Sequence, residues 1–419
     1  MRILTDTSAE KYVRVLEGRS STLDEIDPAV RRIVDDVRSK GDRALLKCAR
    51  RLDGLGLTQA LRVSDSELRG AWKKASPQFR KALKIAATNI RQFCEWQKPK
   101  EWVRSRNGIS LGQLVRPLDS VGCYVPGGRF PLVSTLLMTV IPAQVAGVKN
   151  VRVVSPRPSL EVLAAAAMLG VEELYRVGGT QAIAALAYGT ESIMRVDKIV
   201  GPGNLYVTAA KKLVSFDCSI DMLAGPTEVV IVSANGNAAF IAADLVAQAE
   251  HDPETLAVFI TTSKMLAASV REEVEKGGRG RPPLHENAIA SKSLEARGAV
   301  LIANSRQQAF EWANRIAPEH ITVEKRDVPM VRNAGSVFVG DYSAQAAGDY
   351  ASGPNHVLPT AGAARFRAGL SVMDFVKLIT VQELSAKGLR RIAPTIETLA
   401  ETEGLHAHAD SIRVRCANA

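Results

Sequence analysis

Residues 198–213 read KIVGPGNLYVTAAKKL, and this stretch shows the pattern on which the fold rests. A β-branched run, Lys198 to Val200, passes through a glycine turn into an Ala-rich helical segment, Leu205 to Leu213. The same pattern recurs upstream, where the runs VGCYVPGG, VRVVSP and ELYRVGG lead into helical segments from Ser134, at Leu160–Met168 and at Ala182–Ala187. Strands that alternate with helices predict βαβ units and a parallel sheet.

The alternation resumes after a break at Asp221–Glu228. Five further β runs, VVIVSA, LAVFITTS, AVLIAN, HITVE and SVFVGD, follow in order, and helical segments separate the first four. We therefore predict an α/β protein with two Rossmann-like parallel sheets, a helical N-terminal segment and a C-terminal helical tail. The predicted divisions are an N-terminal arm, residues 1–20; a first Rossmann-like domain, residues 21–123 plus 228–371; a second Rossmann-like domain on the cofactor side, residues 124–227; and the tail, residues 372–419.

Two helical regions flank the predicted sheets. Residues 22–97 are expected to pack with the later sheet; a break falls at Ser39–Asp42, and Ser64 and Ser76 are suited to capping new helices. After Gly362 the chain is expected to be mostly helical. It ends in Ser411–Arg415, which its sequence predicts as a short strand.

Glycine turns follow several β runs and indicate where a ligand would approach the backbone. They are Pro126-Gly127-Gly128, Gly178-Gly179, Gly201-Pro202-Gly203 and Gly225-Pro226. Open parallel sheets bind ligands at the carboxyl ends of their strands, where such turns lie. None of these turns is a complete dinucleotide fingerprint, because Tyr206 stands where a third glycine would follow Gly201 and Gly203.

Composition excludes several classes of protein. The 419 residues are 46% hydrophobic, and no apolar run approaches the ~20 residues needed to cross a bilayer. The start of the chain lacks a secretory apolar segment, and the five cysteines are odd in number and widely spaced. We expect a cytoplasmic protein without a disulfide framework. The net charge of +10 is scattered; Lys98–Arg106 and Arg279–Arg281 are short patches, so neither nucleic-acid nor membrane binding is expected.

The segment Leu245–Glu254, LVAQAEHDPE, is a candidate ligand-binding helix end. Gln248 and His251 are three residues apart, so on a helix they share one face. Asp252-Pro253 follows at once and places the pair on the last turn. A surface helix end whose histidine favours the negative end of the dipole is the alternative interpretation.

The six histidines all follow residue 250. They are His251, His285, His320, His356, His406 and His408. Most of them lie beside acids or amides, as in Ala317-Pro318-Glu319-His320 and in Gly348–His356. This distribution indicates one polar, metal-capable site assembled from distant segments. His285, beside Pro282-Pro283, is expected to be a surface loop residue. From the residues alone, the chain is an α/β enzyme with a metal-capable site and an unassigned nucleotide site.

Seven motifs resemble those of the histidinol dehydrogenase family, in that family's order and over nearly the whole chain. They are Tyr124–Gly128, Arg176–Ala182, Ile199–Asn204, Ala224–Glu228, Gln248–His251, Ala317–His320 and Gly348–Pro359. The resemblance implies a homodimer with one Zn²⁺ per subunit. It further implies oxidation of L-histidinol through L-histidinal to L-histidine with two NAD⁺, the last step of histidine synthesis.

The resemblance also implies roles for individual residues. The metal ligands would be Gln248, His251, Asp349 and His408, which are donors that suit zinc. His320 would act as the general base, since its ordinary pKa lies near neutrality, and Glu319 would activate the water that hydrates the aldehyde. Contacts with NAD fall on Tyr124, Gln181 and Asn204. Contacts with the substrate fall on Ser134, Thr227, Gln248, His251, Glu319, His320, Asp349, His356, Glu403 and His408.

In that family the C-terminal Glu and His reach into the neighbouring subunit, so Glu403 and His408 would complete the site of a second copy. Thr227 stands where many members have Ser, and both offer a hydroxyl. His406 is a second candidate for the metal, although the offset from Glu403 favours His408. Two other functions stay open: a related enzyme that oxidises another small alcohol, such as a sulfonated diol, and a non-enzymatic basic protein that binds nucleic acid.

Overall fold

The computed structural model describes residues 1–19, 26–127, 132–276 and 288–417. Several sequence interpretations fall on other residues: the position of His285, the patch Arg279–Arg281, the loop around Pro282, and Gly128 of the first glycine turn. Within the described residues, none of the helices combines the length and the apolar character that a bilayer crossing requires.

Two parallel sheets confirm the predicted fold class. The first has six strands in the order β1-β11-β10-β9-β12-β13, and every neighbouring pair is parallel. Its strands are β1 (Arg2–Thr5), β9 (Glu228–Val232), β10 (Leu256–Thr261), β11 (Ala299–Ile302), β12 (His320–Val323) and β13 (Ser336–Val339). All residues of β9 and β10 are buried, which explains their continuous apolar runs: a parallel sheet is covered on both faces.

The second sheet has five strands in the order β6-β5-β4-β7-β8, again all parallel. Its strands are β4 (Ser120–Tyr124), β5 (Asn150–Val154), β6 (Glu173–Tyr175), β7 (Lys198–Val200) and β8 (Ser219–Ile220). Alternate residues supply two separate cores: Val153 of β5 packs on one face and Val154 on the other. Successive side chains of a strand point to opposite faces of the sheet, so helices on both sides pack against the same strands.

Helices cover both faces of each sheet. In chain order they are α1 (Asp6–Glu17), α2 (Asp27–Lys40), α3 (Asp42–Leu52), α4 (Asp65–Lys74), α5 (Pro77–Gln97), α6 (Val133–Ala146), α7 (Leu160–Leu169), α8 (Gly179–Tyr188), α9 (Leu205–Val214), α10 (Ala238–Ala249), α11 (Lys264–Glu275), α12 (Ala288–Ala296), α13 (Arg306–Ile316), α14 (Gln345–Tyr350), α15 (Ala386–Thr402) and α16 (His406–Ala417). The predicted starts at Ser64 and Ser76 are confirmed, because both hydroxyls accept a backbone N–H of the first turn. The predicted break is confirmed at Gly41.

The opening helices lie elsewhere than expected. Apolar residues of α4 and α5 pack on one face of the five-stranded sheet, and those of α2 and α3 pack on its other face. The sequence pattern groups residues 21–123 with the six-stranded sheet, and this grouping is wrong for α2 to α5. Instead, β1 and α1 from the first 17 residues join that sheet, so the expected arm is part of its edge. Amphipathic spacing shows that a helix has a buried face, but the spacing does not show which sheet covers it.

A three-stranded antiparallel ribbon was not predicted. It consists of β2 (Trp102–Arg106), β3 (Ile109–Pro117) and β14 (Val376–Leu384), and β14 pairs with all nine residues of β3. The expectation of a mostly helical chain after Gly362 is therefore wrong for β14. Helices α15 and α16 follow as a hairpin, and Ser385 N–H donates to Gly108 O at the ribbon's turn (2.9 Å).

The predicted strand Ser411–Arg415 is also wrong, because these residues belong to helix α16. Arg413 explains the difference: its guanidinium forms ion pairs with Glu397 (3.2 Å) and Glu401 on α15, and with Asp410 one turn earlier (2.9 Å). Packing and ion pairs between the two helices outweigh the β propensity of the two β-branched residues, Ile412 and Val414.

Candidate active site

The candidate catalytic residues lie at the amino edge of the six-stranded sheet. His320 is the first residue of β12 and Glu228 the first of β9, and the two strands pair in parallel. Ala317, just before them, ends α13 with a left-handed φ of 50°, which costs a non-glycine residue about 1 kcal/mol. The chain therefore turns sharply from α13 into Glu319 and His320.

Gln248 reaches the same edge from helix α10, which leads away from the carboxyl end of β9 and ends beside the amino edge. The helix stops at Ala249, so the predicted placement of the pair on the last turn is confirmed for Gln248 and wrong for His251. Gln248 is buried, whereas His251, two residues past the helix, is exposed. Their backbones remain in contact, since His251 N–H donates to Gln248 O at 3.2 Å.

Asp349 and His356 complete the cluster from the segment after β13. Asp349 lies in helix α14, and His356 Nδ1 is 2.9 Å from the backbone carbonyl of Asp349. Asp349 Oδ2 accepts a long hydrogen bond from Gln248 Nε2 (3.4 Å), and its Oδ1 is 3.7 Å from His320 Nε2. One carboxylate thus stands between the expected base and an expected metal ligand.

Glu319 is held in a buried pocket. Its Oε2 accepts hydrogen bonds from the Thr227 hydroxyl (2.5 Å) and from Glu228 N–H (2.9 Å). Burial raises the pKa of the Glu319 carboxyl to about 7, although the nearby His320 and the two hydrogen bonds oppose the rise. A carboxyl with such a pKa can exchange a proton near neutral pH, as a general acid or base requires.

The contacts of His320 indicate which of its ring nitrogens carries hydrogen. Nδ1 lies 3.2 Å from Glu228 O, and a carbonyl only accepts, so Nδ1–H donates. Nε2 is then the nitrogen that faces Asp349. Burial favours the neutral imidazole, but the carboxylates of Glu319 and Asp349 outweigh it and raise the pKa of His320.

Asp349 is ionised in spite of its surroundings. Burial alone would raise its pKa, but the hydrogen bond and charge of His320, with further contributions from His356 and His251, lower the pKa below its ordinary value. Burial lowers the pKa of His356, which favours its neutral form.

The donor chemistry of this cluster fits zinc in part. Gln248 is 2% exposed, and its amide makes two long hydrogen bonds of 3.4 Å with other described residues, so a buried carboxamide is weakly bonded beside an ionised carboxylate. Amide oxygen, carboxylate and imidazole are all ligands of divalent metals. Across the described ranges no group of three His, Cys, Asp or Glu side chains is close enough to hold an ion. Gln248, His251 and Asp349 therefore offer an incomplete set.

The structure does not join the remaining expected substrate contacts to this cluster. Glu403 ends α15 and His408 lies in the first turn of α16, and both are exposed on the hairpin beyond the ribbon. Within the part of the chain that the structure describes, neither side chain hydrogen-bonds to the cluster. Ser134 is half-buried in the first turn of α6; that helix meets the Asp349 segment through Asn355 Nδ2, which donates to Met138 O (2.6 Å).

The three residues expected to contact NAD line one cavity of about 1040 Å³ at the carboxyl edge of the five-stranded sheet. Tyr124 ends β4, Gln181 lies in the first turn of α8, and Asn204 caps α9 by accepting from Val207 N–H. Gly201, in the turn between β7 and α9, has φ 113°, and a Cβ there would lie 2.2 Å from Tyr124 O. The glycine is therefore needed where this turn crosses β4.

Sequence reasoning missed the buried charges that support both edges. Lys211 and Asp221 form a buried ion pair, and Asp221 also accepts from Gly201 N–H (2.7 Å), which fixes the cofactor-side turn. Glu228 is paired with Arg19 (2.7 Å), although its backbone, not its carboxylate, contacts His320. The sequence signal that could have found them is a charged residue inside an otherwise apolar segment. Such a residue is expected to be buried, and a buried charge needs a partner.

Comparisons with known proteins show which family the chain belongs to. The family model described as histidinol dehydrogenase matches residues 16–416. Histidinol dehydrogenase of Methanothermobacter thermautotrophicus is 44% identical over 98% of both chains, and that of Aquifex aeolicus is 45% identical over 98% of this chain and 97% of its own. The crystal structure of histidinol dehydrogenase from Elizabethkingia anophelis superimposes with a TM-score of 0.94 at 35% identity and covers 100% of this chain and 98% of that one. The chain therefore belongs to the histidinol dehydrogenase family and is an oxidoreductase.

Proposed function

We propose that the chain is a zinc-dependent L-histidinol dehydrogenase that oxidises the alcohol to L-histidinal and then to L-histidine. In balance, alcohol, water and two NAD⁺ give carboxylate, two NADH and three protons. The observation that carries the proposal is the meeting of Glu319, His320, Asp349 and Gln248 at one sheet edge. This arrangement supplies a proton acceptor, a second acid–base group and metal donors together.

His320 accepts the hydroxyl proton in this proposal. Its Nδ1–H is bound to Glu228 O, so in the neutral imidazole Nε2 carries the lone pair that accepts the proton, and the Nε2–H of the imidazolium then faces the Asp349 carboxylate. The adjacent carboxylates of Asp349 and Glu319 favour the imidazolium that forms as the substrate loses hydride. Proton transfer of this kind contributes about 10²–10⁴-fold to a rate.

Glu319 acts in the second oxidation. The aldehyde has no hydroxyl hydrogen to remove until water adds to its carbonyl, so a base must first activate that water. Glu319 is suited to this step because burial raises its pKa to about 7, and its Oε2 is fixed by Thr227 and Glu228 N–H. The ionised form accepts the proton of water as the water adds to the aldehyde, and the neutral form can return that proton to the former carbonyl oxygen to give the gem-diol.

Gln248, His251 and Asp349 would hold the metal from this chain. Zinc, when bound, would supply a template that fixes the substrate through its imidazole and amine nitrogens. The fourth ligand, His408, would come from a second copy of the chain together with Glu403, because both are exposed on the C-terminal hairpin. The ribbon beside the hairpin exposes apolar side chains that a second copy would cover, including Val103 (66% exposed) and Ile379 (45%).

NADH formation from L-histidinol tests the proposal. We expect two NADH for each substrate consumed, loss of turnover with a chelator, and recovery when zinc is returned. A sulfonated diol serves as the parallel substrate, because an enzyme specific for another small alcohol would not need imidazole to bind. Turnover of the diol without turnover of L-histidinol contradicts the substrate assignment, and full activity in metal-free protein contradicts the zinc assignment.

Oligomeric state is measured separately. We expect a dimer in light scattering, and a mixture of inactive His408→Ala and inactive His320→Ala protein should regain part of the activity after subunit exchange. Regain occurs because one of the two sites then combines an intact His320 with an intact His408 from the other copy. A fully active monomer would contradict the shared site.

A further inference from the structure

The cavity that Tyr124, Gln181 and Asn204 line, called the cofactor-side cavity from here on, carries an excess of positive charge. Six cations line it: Arg32, Lys40, Arg43, Lys47 and Arg51 from helices α2 and α3, and Arg157 from the turn after β5. Two carboxylates line it as well, and one of these, Asp36, pairs with Lys40 at the exposed rim. Such a wall attracts phosphate groups of any dinucleotide, with or without an extra phosphate on its ribose.

Asp53 is the other carboxylate, and it lies inside the cavity wall. It directly follows helix α3 and is 7% exposed. Its Oδ2 accepts from Gly178 N–H (3.0 Å) and from Gln181 Nε2 (2.9 Å). Its Oδ1 has no hydrogen-bond partner among the described residues, and Asp53 is one of the residues that line the cavity. One oxygen therefore fixes the carboxylate on α8, and the other is available to a ligand.

The residues around Asp53 indicate which part of a dinucleotide would lie there. Members of the catalytic cluster are absent from the described lining of this cavity, which comes from α2, α3 and turns of the five-stranded sheet. The reacting nicotinamide must approach His320, so the cavity suits the opposite, adenosine end. A carboxylate accepts hydrogen bonds from ribose hydroxyls, whereas it repels a 2′-phosphate.

We propose that Asp53 is a specificity-determining residue that binds the 2′-hydroxyl of the adenosine ribose and so selects NAD⁺ over NADP⁺ in a cavity whose cations would otherwise accept both. The inference rests on the proposed function, because a nicotinamide dinucleotide is the oxidant there. Asp53 also positions Gln181, whose amide it holds at 2.9 Å.

Coenzyme binding without substrate tests this inference. The fluorescence of NADH and NADPH is titrated with the whole protein. In the unmodified protein we expect NADH to bind at least about 10-fold more tightly than NADPH, and in Asp53→Asn we expect NADH to weaken by about 10-fold while NADPH does not weaken. Asp42→Asn is the matched control: it makes the same charge change at the other end of α3, away from the cavity, and should leave the ratio unchanged.

An analogue of NADH that lacks the adenosine 2′-hydroxyl provides a test that needs no variant. We expect it to bind the unmodified protein about 10-fold more weakly than NADH and to bind Asp53→Asn as well as NADH does. Equal binding of the analogue and NADH to the unmodified protein overturns the inference, as does equal weakening of NADH and NADPH in Asp53→Asn. Turnover of L-histidinol with NAD⁺ in the same preparation shows separately whether the proposed function stands. If neither coenzyme binds, both proposals fail.

Discussion

The two sheet edges that carry the candidate site are built on opposite principles. The cofactor-side cavity lies at the carboxyl ends of its strands, is rimmed by arginine and lysine, and owes its shape to glycine turns. The catalytic cluster lies at the amino ends of its strands, is mostly buried, and consists of acids, imidazoles and an amide. The common rule for open sheets locates the first edge and would miss the second.

Opposite edges of the two sheets can form one site because of the order in which the chain connects their strands. Residues 221–227 run from the carboxyl end of β8 to the amino end of β9, so the end of one sheet continues directly into the beginning of the other. Contacts along this segment hold it on both sides: Thr208 donates to Ala224 O (3.0 Å), and Gly225 N–H donates to Thr360 Oγ1 (2.6 Å). The described lining of the cavity nevertheless contains no residue of the catalytic cluster, so coenzyme binding and chemistry can be changed separately.

The largest effect should come from the imidazole of the catalytic edge. His320→Gln removes the proton acceptor, so we expect turnover of L-histidinol to fall by about 10³-fold, with zinc content and NADH binding unchanged. Steady-state kinetics, metal analysis and coenzyme titration measure the three quantities. His406→Gln, on the exposed end of α16, is the control and should keep its turnover. Loss of NADH binding in His320→Gln would show that the two edges are not separable.

The buried pair at the cofactor edge gives the next largest effect, on stability. Lys211→Met leaves the Asp221 carboxylate buried without its cation, so we expect the free energy of unfolding to fall by about 3 kcal/mol. Denaturant titration measures the change. Lys212→Met, at the half-exposed neighbouring position, should cost less than about 1 kcal/mol. Similar losses in both variants would contradict the role assigned to burial.

A pH profile sharpens the assignment of Glu319. Its carboxyl must be ionised to activate water, and burial raises its pKa to about 7, so oxidation of L-histidinal should speed up as pH rises through about 7. Glu319→Gln should slow this step by about 100-fold and remove that pH dependence, while L-histidinol still yields the first NADH. Stopped assays of NADH per substrate give the readout. Glu311→Gln, exposed on α13, is the control, and an unaltered profile in Glu319→Gln would contradict the role of this carboxyl.

The smallest effect concerns the backbone before the catalytic pair. Ala317→Gly relieves a left-handed conformation at φ 50°, so we expect the protein to gain about 1 kcal/mol in stability. The same substitution one turn earlier, Ala313→Gly, lies inside helix α13 and should destabilise by about 1 kcal/mol. Thermal unfolding compares the two, and a loss of stability in both variants would mean that the left-handed turn is not strained.

Much of the fold followed from local patterns. The buried strands β9 and β10 were visible as apolar runs, and capping serines marked α4 and α5. The sequence did not show which strand pairs with which, or which sheet each helix packs against. Strand β14 pairs with β3, which lies far away in the chain, and the apolar faces of α2 to α5 suit either sheet. Such choices depend on tertiary packing, which a local pattern does not encode.

The candidate site was predicted in part. The motifs named Glu319, His320, Gln248 and Asp349, and the structure brings these four together. The motifs did not indicate Asp53 or Lys211. A single charged residue inside a helix, or just after one, has the same local sequence whether its side chain is buried or exposed to solvent. Only the three-dimensional burial of these side chains separates the two cases.

The short connection from Asp221 to Thr227 also constrains how sequences of this design can vary in length. Asp221 accepts from Gly201 N–H and the Thr227 hydroxyl donates to Glu319, so six peptide units, at most about 20 Å when extended, connect the proposed NAD cavity to the proposed catalytic pair. Insertion of one residue into this connection would displace the Gly201 turn relative to Glu319. An insertion in the surface turn 233–237 moves neither, so drift in chain length is expected there instead.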